Sequence, residues 1–198
     1  MTVDHLRVEA PSAWVVRFAP LVRPGGSVLD LASGGGRHAR FFAARGHPVE
    51  AVDRDARTSA ALAGLAGATT TCADLEAGPW PFPGRRFDAV VVTNYLHRPL
   101  FPDIVAALAD GGVLLYETFM RGNERFGKPS NPAFLLAPGE LLAAFGALSL
   151  VAFEQGRVDS PATAVIQRLC AVRAGSAEAV SLPEAFTAAR GHERRASP

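Results

Sequence analysis

The sequence predicts an α/β fold, a mainly parallel sheet covered by helices on both faces and closed by an antiparallel hairpin. Three observations point there. Strand-like apolar runs alternate with helix-compatible segments along most of the 198 residues, the pattern of parallel strands joined by helical crossovers. One run, Phe87-Asp-Ala-Val-Val-Val-Thr93, is almost continuously apolar, as expected of a strand buried on both faces. The last two strand-like runs are separated by a short polar turn and no helix, which makes them an antiparallel pair.

The elements follow in order. Pro11 suits the first turn of a helix through Ala13-Trp-Val-Val-Arg-Phe18, which Pro20 ends. Arg23-Pro-Gly-Gly26 is a turn that launches the first strand, Ser27–Leu31. A glycine loop then opens into a helix over Ala39–Ala44. His47–Val52 reads as strand two and Asp55–Ala66 as a helix with Asp55 near its N-cap. Threonine-rich Ala68–Cys72 suits strand three. Pro79-Trp-Pro-Phe-Pro-Gly84 has three prolines in five residues and must be loop. After strand four, Phe87–Thr93, comes a helix over Leu100–Ala109 that Gly111-Gly112 ends before strand five, Val113–Thr118. A helix begun near Pro138 continues through Leu141–Phe145. Strands Leu148–Glu154 and Ala164–Val172 flank the polar turn Gly156–Pro161. The count is five β-α units and a hairpin. One domain over residues 1–175 and a loosely held tail over 176–198, with Arg190, Arg194 and Arg195, account for the chain.

Composition narrows the function. A net charge of +1 gives no reason to expect nucleic acid or an anionic membrane as partner. No segment approaches the roughly 18 uninterrupted apolar residues of a membrane span, and Asp4, Arg7 and Glu9 interrupt any export signal. The expected location is the cytoplasm. Cys72 and Cys170 lack metal-type spacing, so no metal is expected, and they read as buried free thiols.

The most informative stretch is Ser27-Val-Leu-Asp-Leu-Ala-Ser-Gly-Gly-Gly-Arg-His38. A buried strand ends near the acid Asp30, three glycines let a ligand approach the backbone, and the free amides of the next helix favour an anionic group. Gly34-x-Gly36-x-x-Ala39, with Asp53 19 residues after Gly34, fits a dinucleotide fingerprint. An acid just ahead of the glycines would, however, repel a pyrophosphate and suits a ligand bearing a cation. Asp74-Leu75 puts a further acid after strand three, and the terminal hairpin is foreign to the dinucleotide fold.

These residues resemble the class I S-adenosylmethionine-dependent methyltransferases over about residues 12–173. Asp30-Leu-Ala-Ser-Gly-Gly-Gly36 is similar to the family's acidic glycine-rich first motif, Asp53 to its ribose-binding acid, Ala73-Asp74-Leu75 to its adenine-contacting segment and Phe87–Asn94 to its fourth strand and the start of its catalytic edge. Ala32 stands where many members have the first glycine. The resemblance implies a Rossmann-like seven-stranded sheet of order 3-2-1-4-5-7-6 with strand seven antiparallel. It implies S-adenosylmethionine as cofactor, held by Asp30, Ala32, Gly34, Gly36, Arg37, Asp53, Arg54, Asp74, Leu75 and Asn94. In that arrangement Asp30 sits near the ammonium, the glycine backbone near the carboxylate, Asp53 on the ribose and Asp74 on the adenine amino group.

For the acceptor side, Asn94-Tyr-Leu-His-Arg98 lacks the Asn/Asp-Pro-Pro-aromatic signature of amino-group methylation on adenine or glutamine. Tyr95 could shape the pocket around the methyl group, His97 could act as base, and Arg98 could hold an anionic acceptor; His97 before Pro99 is equally a polar turn residue. The segment Tyr116–Phe134, with Glu117, Arg121, Arg125 and Lys128, is longer than an ordinary loop. Its Gly-Lys-Pro-x-Asn-Pro stretch resembles small bacterial methyltransferases of the tellurite-resistance type, and it reads as a lid over a small, anionic acceptor. The expected protein is a monomer or homodimer acting on a small molecule. Two rivals stay open: an NAD(P)-dependent oxidoreductase, and a non-catalytic S-adenosylmethionine-binding scaffold.

Overall fold

In a computed structural model, described over residues 10–173, the strands form one seven-stranded sheet of order β3-β2-β1-β4-β5-β7-β6. The strands are β1 (Val28–Leu31), β2 (Val49–Asp53), β3 (Ala68–Cys72), β4 (Phe87–Thr93), β5 (Leu108–Phe119), β6 (Ser149–Val158) and β7 (Ala164–Val172). The helices are α1 (Ala13–Phe18), α2 (Arg37–Ala43), α3 (Ala56–Ala61), α4 (Phe101–Ala106) and α5 (Glu140–Ala144). The first five strands pair in parallel, while β7 runs antiparallel to both β5 and β6. The predicted α/β class, strand order and reversed seventh strand are all present.

The two-residue period of a strand sorts the core into two layers. Leu29, Leu31, Val90, Val92, Leu114 and Tyr116 face one way, against Ile104 of α4 and Leu141 of α5. Val28, Ala89, Val91, Val113 and Leu115 face the other way, against Trp14 and Phe18 of α1 and Phe42 of α2. The same alternation sends Asp30 and Glu117 to the α1/α2 side. Strand order reverses between β1 and β4, so the loops after these two strands diverge and leave a crevice at their carboxyl ends.

Several boundaries differ from the sequence reading. The helix expected to reach Ala66 stops at Ala61, because Gly64 and Gly67 take left-handed backbone at φ 76° and 79°. Strand five begins at Leu108, five residues early: its pairing with β4 jumps from Phe87–Leu108 to Ala89–Val113, so the residues between bulge out of register. The first hairpin strand runs on to Val158, into the expected turn, whereas the second spans Ala164–Val172 as expected. Cys72 is exposed rather than buried, since β3 is an edge strand and Cys72 its last residue; Cys170 is buried as expected, and burial pushes its thiol up to about 12. The proposed 176–198 tail lies outside the described residues. Among the described residues no helix is long and apolar enough to cross a membrane.

α2 starts at Arg37, two residues before expectation, on Gly36 at φ 75°. A β-carbon there would meet Leu62 Cδ2 at 2.5 Å. Gly36 thus meets two constraints, a left-handed turn and close packing of the loop on the end of α3. Gly36→Ala should therefore cost about 2 kcal/mol or more in unfolding free energy, read as a lower denaturant midpoint with unchanged slope; an unaltered midpoint would mean that the loop relaxes freely.

Candidate functional site

A cavity of about 540 Å³ opens at the carboxyl ends of β1, β2, β3 and β4. Its floor is the loop after β1, where Ala32 and Gly34 take left-handed backbone at φ 51° and 53°. A non-glycine residue at such a φ is strained by roughly 1–2 kcal/mol, and Ala32 carries that strain where the loop leaves the strand. On the other side of the crevice Asn94 does the same at φ 56°, its amide donating to the Glu117 carbonyl at 2.9 Å.

Asp53, the last residue of β2, lines the cavity and braces the loop. Its Oδ2 accepts from the Gly34 amide at 2.8 Å and its Oδ1 from the Asp55 amide at 2.9 Å. A carboxylate has about four acceptor positions, so capacity for two further donors remains. Asp74 lines the cavity beyond β3, with Oδ1 accepting from the Glu76 and Ala77 amides, and Leu75 packs beside it. Arg37, Arg54, Asn94 and Tyr95 complete the predicted residues that the fold brings to this cavity.

Asp30 lies behind the loop rather than on the cavity wall. It is 1% exposed, and its Oδ2 accepts from the Ala39 amide in the first turn of α2 at 3.0 Å. Burial pushes its carboxyl up to about 8, against the opposing pull of the Ala39 amide and the Arg37 charge. Next to it His38 is buried and held neutral, its imidazole pushed down to about 3 by burial and by Arg37. His38 Nε2 accepts from the Ser12 amide at 3.1 Å, which assigns the ring proton to Nδ1, 3.9 Å from Asp30 Oδ1. Ser12 Oγ in turn donates to Glu117 Oε1 at 2.8 Å, and Arg168 approaches Glu117 Oε2 at 3.4 Å. Glu117 is thereby part of a brace that ties the start of α1 to β5 and β7, away from the cavity.

The remaining acceptor-side residues are not brought to the cavity. Arg98 is held by both oxygens of Glu140, at 2.5 and 3.1 Å, and by the Ala133 and Leu135 carbonyls. That fork–fork pair fastens the turn after β4 to the start of α5. His97 is half-buried in this turn, outside the cavity lining. Arg121, Arg125 and Lys128 are exposed on the 119–134 segment. The segment is pinned: buried Asn123 donates to the Pro129 carbonyl and accepts from the Val165 amide, and Met120 bridges to Leu136.

Sequence reasoning passed over other residues that the fold puts at the site. Ser33, Asp55, Glu76 and Thr93 line the cavity, and their signal was adjacency to the residues already named. Ser12 and His38 gave no local signal, since Ser12 meets His38 and Glu117 across 26 and 105 positions of chain.

Residues 28–112 match the family described as methyltransferase domain. A ubiquinone/menaquinone biosynthesis C-methyltransferase, UbiE of Bordetella parapertussis, is 35% identical over 127 residues, covering 57% of this chain and 46% of that protein. The chain thus spans about half the length of the curated relatives it matches. Among solved structures, TehB from Haemophilus influenzae aligns with a TM-score of 0.70 at 18% identity, over 82% of this chain and 62% of TehB. A TehB-like SAM-dependent methyltransferase from Corynebacterium glutamicum aligns with a TM-score of 0.59 at 18% identity, over 80% of this chain and 85% of that one. The chain shares their fold and resembles the class I S-adenosylmethionine-dependent methyltransferases.

The buried Asp30–His38 pair makes stability depend on pH with a definite sign. His38, lowered from 6.5, favours the fold above pH 6.5 and loses that contribution as pH falls toward 3. Asp30, raised from 3.8, contributes fully below that pH and loses its contribution as pH rises through about 8. The two slopes oppose each other between about pH 4 and 6.5, which leaves Asp30 acting alone above. Urea titrations should show unfolding free energy falling by roughly 2 kcal/mol between pH 6.5 and 8. Asp30→Asn should abolish the fall, and persistence of the same decline in that variant would place its cause elsewhere.

Proposed function

We propose, from that resemblance as premise, that this domain binds S-adenosylmethionine and transfers its methyl group to a small-molecule acceptor. The observation that carries the reading is the placing of Asp53 and Asp74 on one cavity at the ends of β2 and β3, beside a glycine loop. The residues present suit the cofactor's chemistry. Asp53 retains acceptor capacity for two ribose hydroxyls, Asp74 for an amino group, and Leu75 offers an apolar side to a purine. Ser33 lies on the same wall. When bound, S-adenosylmethionine supplies a sulfonium methyl open to in-line attack by an acceptor lone pair.

The chain's own part is binding and orientation. Asp53 and Asp74 fix the nucleoside end, while the loop over Ala32 and Gly34, with Arg37 at the start of α2, receives the amino-acid end; Gly36 packs on Leu62 instead of lining the cavity. Asn94, turned by its left-handed backbone, stands where the two ends meet on the β4 side. Positioning of this kind supplies much of the acceleration in a group transfer. The acceptor enters from the β4–β5 side, over Asn94. A reversed strand in the closing hairpin separates this sheet from the dinucleotide-binding order, which disfavours the oxidoreductase reading. The proposed domain runs through residue 175.

Calorimetry tests the proposal directly. S-adenosylmethionine and S-adenosylhomocysteine should bind, and NAD(P) should not; the reverse pattern would overturn the reading. Asp53→Ala should weaken S-adenosylmethionine binding by about 1 kcal/mol or more, roughly fivefold. Arg98→Ala should instead lower the melting temperature while leaving that affinity unchanged, in keeping with its bond to Glu140.

A further inference from the structure

α2 begins without a side-chain cap of its own. Its N-cap, Gly36, has nothing to offer the free amides of the first turn. Two buried side chains stand there instead: Asp30, which takes the Ala39 amide, and His38. His38 does not line the cavity, whereas Gly34, Gly35 and Arg37 just ahead of it do. Its Nε2 accepts from the Ser12 main-chain amide at 3.1 Å. Its Nδ1 stands 3.9 Å from Asp30 Oδ1, too far for a hydrogen bond but near enough for an electrostatic contact. Burial and the Arg37 charge keep the ring neutral, as an accepting nitrogen requires.

Ser12 is itself a fixed anchor. Its hydroxyl accepts from the Trp14 amide at 3.1 Å, which caps α1, and donates to Glu117 of β5 at 2.8 Å. Buried Trp14 donates its indole N–H to the Leu169 carbonyl of β7 at 3.2 Å. The start of α1 is thus secured to the β5–β7 half of the sheet, and the His38 ring passes that anchorage to the first turn of α2. We propose that His38 is a positioning residue for the cofactor: by latching the start of α1 to the start of α2, it sets where the glycine loop and Arg37 stand, and with them the affinity for the amino-acid end. This rests on the S-adenosylmethionine reading above and gives His38 no contact with the ligand. A nucleoside held by Asp53 and Asp74, from β2 and β3, lies outside its influence.

Titration calorimetry of the full chain with S-adenosylhomocysteine, and with adenosine, which lacks the amino-acid end, tests the proposal. His38→Leu should lose roughly 3–10-fold in affinity for S-adenosylhomocysteine, the size of one neutral hydrogen bond, and keep its affinity for adenosine. His38→Gln, whose side-chain oxygen can take the Ser12 amide, should recover most of the loss. Should the leucine variant fail to fold, Ser12→Pro removes the same bond from the other side. The Ser12 φ of −55° already suits proline, and this variant should show the same split between ligands. Unchanged S-adenosylhomocysteine affinity would overturn the proposal, and so would an equal loss for both ligands, the mark of general loosening. Nitrogen NMR of the wild-type imidazole is an independent check: a proton on Nδ1 is expected, and a proton on Nε2 would overturn the latch. Failure of the wild-type chain to bind S-adenosylhomocysteine is a separate result and would overturn the proposed function itself.

Discussion

The 2.8 Å bond from the Gly34 amide to the Asp53 carboxylate joins the loop after β1 to the end of β2, and the shape of the cavity follows from it. Parallel strands deliver their carboxyl ends to one edge, but they do not dictate how far each loop leans over that edge. Here the loop is held from three sides. Asp53 takes its amide from the front, Asp30 takes the Ala39 amide from beneath, and Leu62 presses on Gly36 from the end of α3. The loop is consequently a preformed surface, with Ala32 kept in a strained conformation by the structure around it.

Much of this was legible in the chain. Alternating runs announced the parallel sheet, and the helix-free link before Ala164 announced the hairpin. The acids that the fold brings to the cavity were also visible, because Asp53 and Asp74 lie at the ends of an apolar and a threonine-rich run. What could not be read was the pairing of distant side chains. Arg98 looks like a free cation in the sequence, yet Glu140 and two carbonyls 35 and 37 positions away consume its donors. Glu117 likewise sits near the ligand edge in strand order, but the strand's two-residue period turns it toward Ser12 and Arg168. The end of the third helix was misjudged for a different reason: Gly64, inside the expected span, is a stop signal that the alanine-rich run around it masked, and it takes φ 76° just past the helix end.

The long 119–134 segment has internal anchors that its composition does not reveal. Its cations and glycines suggest a lid, whereas buried Asn123 spends its side-chain amide and carbonyl on holding the segment to its own downstream end and to β7. Together with the Arg98–Glu140 fork, these contacts anchor both ends of the wall beside the β4 turn. The β4–β5 side of the crevice is thus shaped by hydrogen bonds within the protein, while the β2–β3 side carries carboxylates with acceptor capacity to spare.

The edge position of β3 has one more outcome. Of the two cysteines, Cys170 is sealed in the core with its thiol held protonated, whereas Cys72 ends β3 in the open. The next residue, Ala73, is already part of the cavity wall. The chain therefore carries a single exposed thiol, next to the cavity wall, where a small alkylating dye would sit within reach of whatever occupies the cavity.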